Sequence, residues 1–446
     1  MAEGACELGR WMKAAPVDRG HHINAQLTDV GLFASADRYG DLCVHGIIDL
    51  RRSFSRDEVE RAVQATVDSF PVLGCVYEPR FFRDRWVRTN EPLSSMVHFG
   101  VVDDVETDTA MWTERTLDAT RVRPLRVVVL PMPEGCRLIV SLSHWAVDGA
   151  GMAAVGHVLC AHLRGVRPAL PVEPRRDLRR TLDGLSLRHL PMLGRDMFRA
   201  MLHPLRVAWA APRERPYARS GSKKPSSRQV VIEASTVAAI EAHCGTRIKV
   251  NDLLIAIVAM VTAKRSRSRP IAVLYTMDLR RYSRTPHLSA TNASAILTTV
   301  VPRAATDRLA DAVKAVRAIT QRQQRSFAGP AFLLVPMLMT GATPHGVVRR
   351  FLPALHMVAV DLPASRGLVF TNVGKLDQGL GPLVDDIVDV RAVGPNIKGV
   401  AAPAIIAFGL RGRIHLELFA PPGLGEVALD ELEGELREVL ATANGL

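Results

Sequence analysis

The sequence predicts an α/β fold divided into two units. Helical and strand patterns alternate irregularly along the chain, as expected when helices are layered on sheets. At 446 residues the chain exceeds one ordinary core, and its length suits two domains of about 200 residues each. Between the patterned stretches lies a Pro- and Arg-rich segment, RGVRPALPVEPRRDLRRTLDG, that reads as a connector. The predicted division is residues 1–165, a basic crossover connector over 166–228, and residues 229–446. No internal repeats are found.

In the N-terminal unit, SRDEVERAVQATVDSF reads as a helix. Ser55 is the N-cap, Asp57 and Glu58 lie in the first turn, and Val59, Val63 and Val67 recur every four residues. Pro71 ends it and VLGCVYE reads as a strand. LRVVVLPMPEGCRLIVSLSH is a hairpin, two β-branched runs around a Pro-Glu-Gly turn. His144 falls just past its second strand. GAGMAAVGHVLCAHLR is helical, with Met152, Val155, Leu159 and Leu163 as its apolar stripe. His157 and His162 on this helix read as surface or packing residues.

In the connector, LRHLPMLGRDMFRAMLHPLRVAWAAP sets Leu, Met, Phe and Trp among Arg at helical intervals. That predicts an amphipathic helix over 185–210, lying either on a membrane or on the protein itself. In the C-terminal unit, VNDLLIAIVAMVTAKR is a buried helix, with Asn251 and Asp252 read as its cap. IAVLYTMDLRR, SAILTTVVP and RGLVFTNVGKL are strands, and AIIAFGLRGRIHLELFA is a second hairpin about Gly412.

Composition excludes several classes. An apolar fraction of 48% with 23% charged residues is that of a globular protein. No stretch approaches the roughly 18 apolar residues of a membrane span, and the first residues lack an apolar signal core. Six scattered cysteines (Cys6, Cys43, Cys75, Cys136, Cys160, Cys244) suit neither a zinc site nor a disulfide framework. These features predict a cytoplasmic protein without a metal. The net charge of +12 is concentrated, with fifteen Lys/Arg against five Asp/Glu between Gly165 and Arg228. No nucleic-acid-binding motif accompanies it. The excess therefore suits a solvated connector, an acidic small molecule or carrier protein, or an anionic membrane surface.

The stretch SLSHWAVDGAG carries the chemistry. A turn from a strand into a helix holds His144 on a rigid edge. A neutral imidazole there can accept a proton from an alcohol or amine attacking an acyl carbon. Asp148 either orients that imidazole, as in a catalytic triad, or anchors the turn by pairing with an arginine. Gly149 is expected where a positive φ or a close approach excludes a Cβ. No G-x-S-x-G nucleophile motif occurs, which disfavours covalent catalysis.

SHWAVDG in this setting resembles the H-x-x-x-D-G signature of the chloramphenicol acetyltransferase-like superfamily. That group includes condensation domains, plant BAHD acyltransferases, wax ester synthases and polyketide-associated acyltransferases. EVERAVQATVDSFPVLGCVYE, TRIKVNDLLIAIVAMVTAKR, YTMDLRRY and FTNVGKLD resemble its other segments, in family order. The resemblance implies two similar subdomains, each a mixed β-sheet flanked by helices, with a tunnel between them. It makes His144 the general base, Gly149 a shaper of the turn, and Asp148 a structural partner of Arg280. Ser143, Thr371 and Asn372 are then expected along the tunnel, with Thr371 a candidate oxyanion donor. Ser143 stands where many members carry a first histidine, which weighs against a peptide-forming condensation domain.

The implied activity is acyl transfer from a thioester to a hydroxyl or amine of a lipid, polyketide or peptide-like acceptor. The thioester belongs to acyl-CoA or an acyl carrier protein and serves as co-substrate, with no tightly bound cofactor. The protein is expected to act as a monomer, with no nucleic acid, and its 185–210 segment either packs on the protein itself or makes peripheral contact with a membrane. Its rivals are a non-catalytic carrier-docking module and a basic lipid-binding protein of the membrane surface.

Overall fold

The computed structural model describes residues 17–40, 42–101, 103–185, 225–244, 247–266, 270–326, 342–356, 368–395 and 403–444, with a few positions within 191–217 and 328–334. Most of the 185–210 connector helix thus lies outside the described residues. The N-terminal half runs β1 (Val17–Asn24), α1 (Leu27–Tyr39), β2 (Cys43–Leu50), α2 (Arg56–Ser69), β3 (Cys75–Glu78), β4 (Arg85–Thr89), β5 (Val97–Phe99), α3 (Val105–Glu114), β6 (Leu125–Met132), β7 (Gly135–Ser143) and α4 (Gly149–Leu163). After β8 (Val172–Glu173), the C-terminal half runs β9 (Ser226–Ile232), α5 (Ala234–Cys244), α6 (Val250–Arg265), β10 (Pro270–Asp278), β11 (Leu288–Ser289), β12 (Ser294–Pro302) and α7 (Leu309–Arg325). It ends with α8 (His345–His356), β13 (Val369–Lys375), β14 (Ile387–Val393), β15 (Ala404–Leu410), β16 (Arg413–Ala420) and α9 (Gly425–Asn444).

Local chemistry explains the elements the sequence shows. Ser55 caps α2 in a reciprocal box with Glu58, and Val59, Val63 and Val67 are buried beneath it. Pro71 closes that helix, and Pro71–Gly74 make one tight 3₁₀ turn before β3 starts at Cys75. The hairpin of β15 and β16 turns at Arg411 and Gly412, both at positive φ.

Among the described residues the two largest sheets, both mixed, organise the two halves, beside a three-stranded sheet β1-β4-β3 and the two-stranded pair β11-β8. Of the two largest, one has the order β14-β2-β7-β6-β5 and the other β12-β10-β13-β15-β16-β9. One core lies between α2, α4 and the first sheet, around Val63, Leu138, Leu142 and Val155. The other surrounds α6, which is buried almost throughout its length. No described helix is long and apolar enough to cross a membrane.

The sheets do not respect the division at 229. β14 belongs to the C-terminal half by sequence but pairs antiparallel with β2, from Ile387 opposite Leu50 to Val393 opposite His45. The parallel bridge of β8 to β11 is a second crossing. At the seam, Gln229 on β9 donates to Val390 O at 2.9 Å and to Glu417 Oε1 at 2.7 Å, and Ala392 N donates to the same oxygen at 3.2 Å. Glu417 is therefore buried between the C-terminal sheet and the crossing strand.

Burial pushes the Glu417 carboxyl from 4.5 to about 7, with Asp389 adding to the rise while Gln229, Ala392 and Arg391 oppose it. Folded Glu417 thus holds its proton where the unfolded chain has lost it. Its contribution to stability is full below pH 4.5 and is lost as pH rises through about 7. Glu417→Gln should therefore stabilise the protein at pH 8 by up to about 3 kcal/mol relative to the parent. The gain should vanish at pH 4, as read from urea midpoints at both pH values.

Candidate active site

The site begins where β7 runs out. Ser143 N donates to Pro124 O and His144 N to Leu42 O, both at 2.9 Å, so the strand end is held from both sides. Ala146 N then reaches back to Ser143 O at 3.0 Å and closes the turn. From Ser143 to Asp148 every residue is buried except His144, which stays partly open. Its Nδ1 is buried with no hydrogen-bond partner among the described residues.

Asp148 does not face that imidazole. It is the N-cap of α4 and accepts from Gly151 N at 2.7 Å, Ala293 N at 2.8 Å and Ser294 Oγ at 2.7 Å. Arg280 meets it with two donors, Nη2 to Oδ1 at 3.0 Å and Nη1 to Oδ2 at 3.2 Å. Burial would raise the carboxyl's pKa, but the Arg280 charge and this ring of donors outweigh it and hold it below the usual carboxylate range. Of the two roles open to Asp148, the geometry places it in the structural one. It bolts the turn that follows β10, the 289–294 segment and the helix start together.

Two expectations change. Gly149 has no positive φ, and a Cβ there would meet only Val373 Cγ2 at 3.7 Å, an ordinary contact. The glycine that sterics demand is Gly151, where a Cβ would lie 3.0 Å from Thr291 O, 3.1 Å from Asp148 Oδ1 and 3.2 Å from Val147 Cβ. Ser143, expected on a tunnel wall, turns inward: it is 1% exposed, and its hydroxyl accepts from Trp145 N at 3.4 Å.

The late strand reaches the turn through a bulge. β13 breaks register with β15 between Asn372 and Gly374, and Gly374 takes a φ of +96°. Asn372 Oδ1 accepts from Gly374 N at 2.9 Å and so fastens the bulge. Val373, the extra residue, sits against Gly149 at the start of α4. Thr371 shares a hydroxyl hydrogen bond of 2.7 Å with Thr276. Asn372 Nδ2 donates to Asn251 Oδ1 at 3.4 Å. Asn251 and Asp252 are not the cap of α6; that position is Lys249, without a side-chain bond. Asp252 instead accepts from Thr320 Oγ1 at 2.7 Å, beneath the helix. His157 is buried on α4, its Nε2 accepting from Ala169 N at 3.2 Å.

Two supports of the turn were not visible in the sequence. Asn292 Nδ2 lies 3.0 Å from His144 O, 2.9 Å from Trp145 O and 3.3 Å from Asp29 Oδ1. Arg176 donates to Ala146 O at 2.6 Å, Ala290 O at 3.0 Å and Asp29 Oδ1 at 2.9 Å. Trp86 Nε1 adds a bond of 3.0 Å to Asp29 Oδ2. The carbonyls of His144, Trp145 and Ala146 thus all end on buried donors. No spacing rule links 29, 176 and 292. Asn292→Ala should leave two buried carbonyls without this donor and cost about 1–3 kcal/mol, measured by urea denaturation.

The site as built is one half-open imidazole on an immobilised turn, touched by both halves of the chain. The buried thiols are poor rivals as nucleophiles, since burial pushes Cys160 up to about 12 and Cys75 and Cys136 to about 11. Among the described residues no group of three His, Cys, Asp or Glu is placed to hold a metal.

No family model and no curated protein sequence matches the chain. Solved structures do. The TRI3 trichothecene 15-O-acetyltransferase from Fusarium sporotrichioides aligns with a TM-score of 0.71 at 11% identity, covering 96% of this chain and 98% of that one. The first condensation domain of the CDA synthetase gives 0.64 at 13%, over 96% and 97%. Polyketide synthase associated protein 5 from Mycobacterium tuberculosis gives 0.62 at 14%, over 96% and 99%. Identities this low speak to architecture alone. With this whole-length correspondence, and with two mixed-sheet halves meeting at the His144 turn, the chain has the same two-subdomain fold as these solved structures.

Proposed function

We propose that the protein is an acyltransferase, moving an acyl group from a thioester to a hydroxyl or amine with His144 as general base. The observation that carries this reading is His144 as the one partly exposed residue in a turn whose other residues from Ser143 to Asp148 are buried. A ring whose main chain is pinned from both subdomains is placed to meet two reactants arriving at their junction. The acetyltransferase and the condensation domain among the structural neighbours support the same class of reaction.

In this mechanism neutral His144 takes the proton of the acceptor as its oxygen or nitrogen attacks the thioester carbonyl. A tetrahedral oxyanion forms and collapses with loss of the thiolate. A thiol pKa of about 8.5 makes that group a far better leaving group than an alkoxide, so collapse runs toward product. The imidazolium then returns its proton to the departing sulfur. Thr371, beside Thr276, is the candidate donor to the oxyanion. Asn372, beyond its role in the bulge, is a candidate lining residue of the substrate tunnel. The donor is acyl-CoA or an acyl carrier protein, and the carrier reading draws support from neighbours that include a condensation domain of the CDA synthetase and a polyketide synthase associated protein.

The test is direct. The purified protein is mixed with a panel of acyl-CoAs, loaded carriers and a cell extract, and new acyl products are read by mass spectrometry. A product that depends on the protein establishes the activity and names the acceptor. Binding of a loaded carrier with no turnover would assign the fold to docking instead.

A further inference from the structure

The tip between β3 and β4, residues 79–83, is exposed at every position and carries two adjacent phenylalanines. Phe81 is 59% and Phe82 72% exposed, their rings edge to face at 5.2 Å. A loose loop would fold such rings inward; this one is fixed outward.

Asp84, fully buried, accepts from Tyr77 Oη at 2.6 Å and Arg80 N at 2.7 Å and is paired with Arg349. Its own N–H donates to His345 Nδ1 at 2.9 Å. The start of α8 completes the clamp, with His345 N to Phe82 O at 3.0 Å and Gly346 N to Phe81 O at 2.7 Å. A Cβ on Gly346 would lie 2.7 Å from the Phe81 ring, so a glycine is needed for the two segments to meet. Residues 78–85 and 349–350 carry five arginines (Arg80, Arg83, Arg85, Arg349, Arg350) against Glu78 and Asp84.

We propose that this tip is an anchor for anionic membrane surfaces, with Phe81 and Phe82 entering the headgroup–acyl boundary and the local excess of positive charge drawing it to lipid phosphates. The shape favours a bilayer over a protein partner. The rings stand exposed at a hairpin tip, which a deformable interface accepts, whereas a folded partner would need a matching pocket. The charge agrees, because a basic tip on a chain of net charge +12 is drawn to an anionic leaflet. Rigidity helps as well, since rings already held outward lose little freedom on insertion. This reading does not depend on the acyl-transfer reading.

The experiment is co-sedimentation of the full chain with vesicles of phosphatidylcholine alone and of equal parts phosphatidylcholine and phosphatidylserine. The parent protein should pellet with the anionic vesicles, far less with the neutral ones, and be released by salt. Phe81→Ser with Phe82→Ser should lower partitioning at least about ten-fold, with an unchanged melting temperature. Phe82→Ser alone, at the more exposed ring, guards against a folding defect and should give a smaller loss in the same direction. Parent-like pelleting by the double variant would overturn the proposal and return any membrane contact to residues 185–210. Failure of the parent to pellet, or self-association abolished by the same variants, would overturn it equally.

Discussion

His144→Ala is expected to lower the rate of acyl transfer by about 10²- to 10⁴-fold, the span a positioned general base contributes. The loss should fall on kcat, with KM for the thioester little changed, because the ring acts on the acceptor's proton. Stability should change little. The imidazole has no hydrogen bond from Nδ1 among the described residues, whereas the main chain that holds it is bonded through Leu42 and Asn292. Steady-state kinetics on the product identified by mass spectrometry, with a melting curve beside it, separates the two effects. A variant with parent-like turnover removes His144 from the mechanism, whatever the fold.

The reverse pattern is expected at Arg280. Arg280→Ala leaves the Asp148 carboxylate buried without its counter-charge, a loss of about 3–5 kcal/mol for pairs of this kind. Arg280→Lys should recover only part of it, since an ammonium cannot reproduce two parallel bonds to Oδ1 and Oδ2. The effect carries a pH signature. Asp148 is held below the ordinary carboxylate value of 3.8, so its contribution is full above that pH and is lost as pH falls through its folded pKa. The gap between parent and Arg280→Ala should therefore be widest near neutrality and shrink in acid, as read from urea midpoints across pH. A gap that stays constant into acid would place the cost in packing of the guanidinium rather than in the charge pair.

How much of this was legible in the sequence follows the range of each interaction. The Ser55 box, the hairpin ending at Ser143, and the strands that became β10, β12 and β13 are local and could be read from caps, turns and alternation. The Asp148–Arg280 pair spans 132 residues and was reached only through the family resemblance. Asp29, Arg176 and Asn292 have no signature in the sequence, because buried long-range polar partners leave no periodic trace. The expectation for Gly149 failed for a related reason. Sequence shows two glycines near the helix start, and only the path of Thr291 O shows that Gly151 is the crowded one. The bulge at Asn372 likewise needs the register of β15 to be seen.

The strand that crosses from one half to the other also bears on how the chain is made. β2 leaves the ribosome well before its neighbour β14, some 340 residues downstream, which is roughly 20–70 seconds of ribosome travel at about 5–20 residues per second. Through that interval the nascent N-terminal half carries an unpaired edge along Cys43–Leu50, the kind of surface that templates intermolecular pairing.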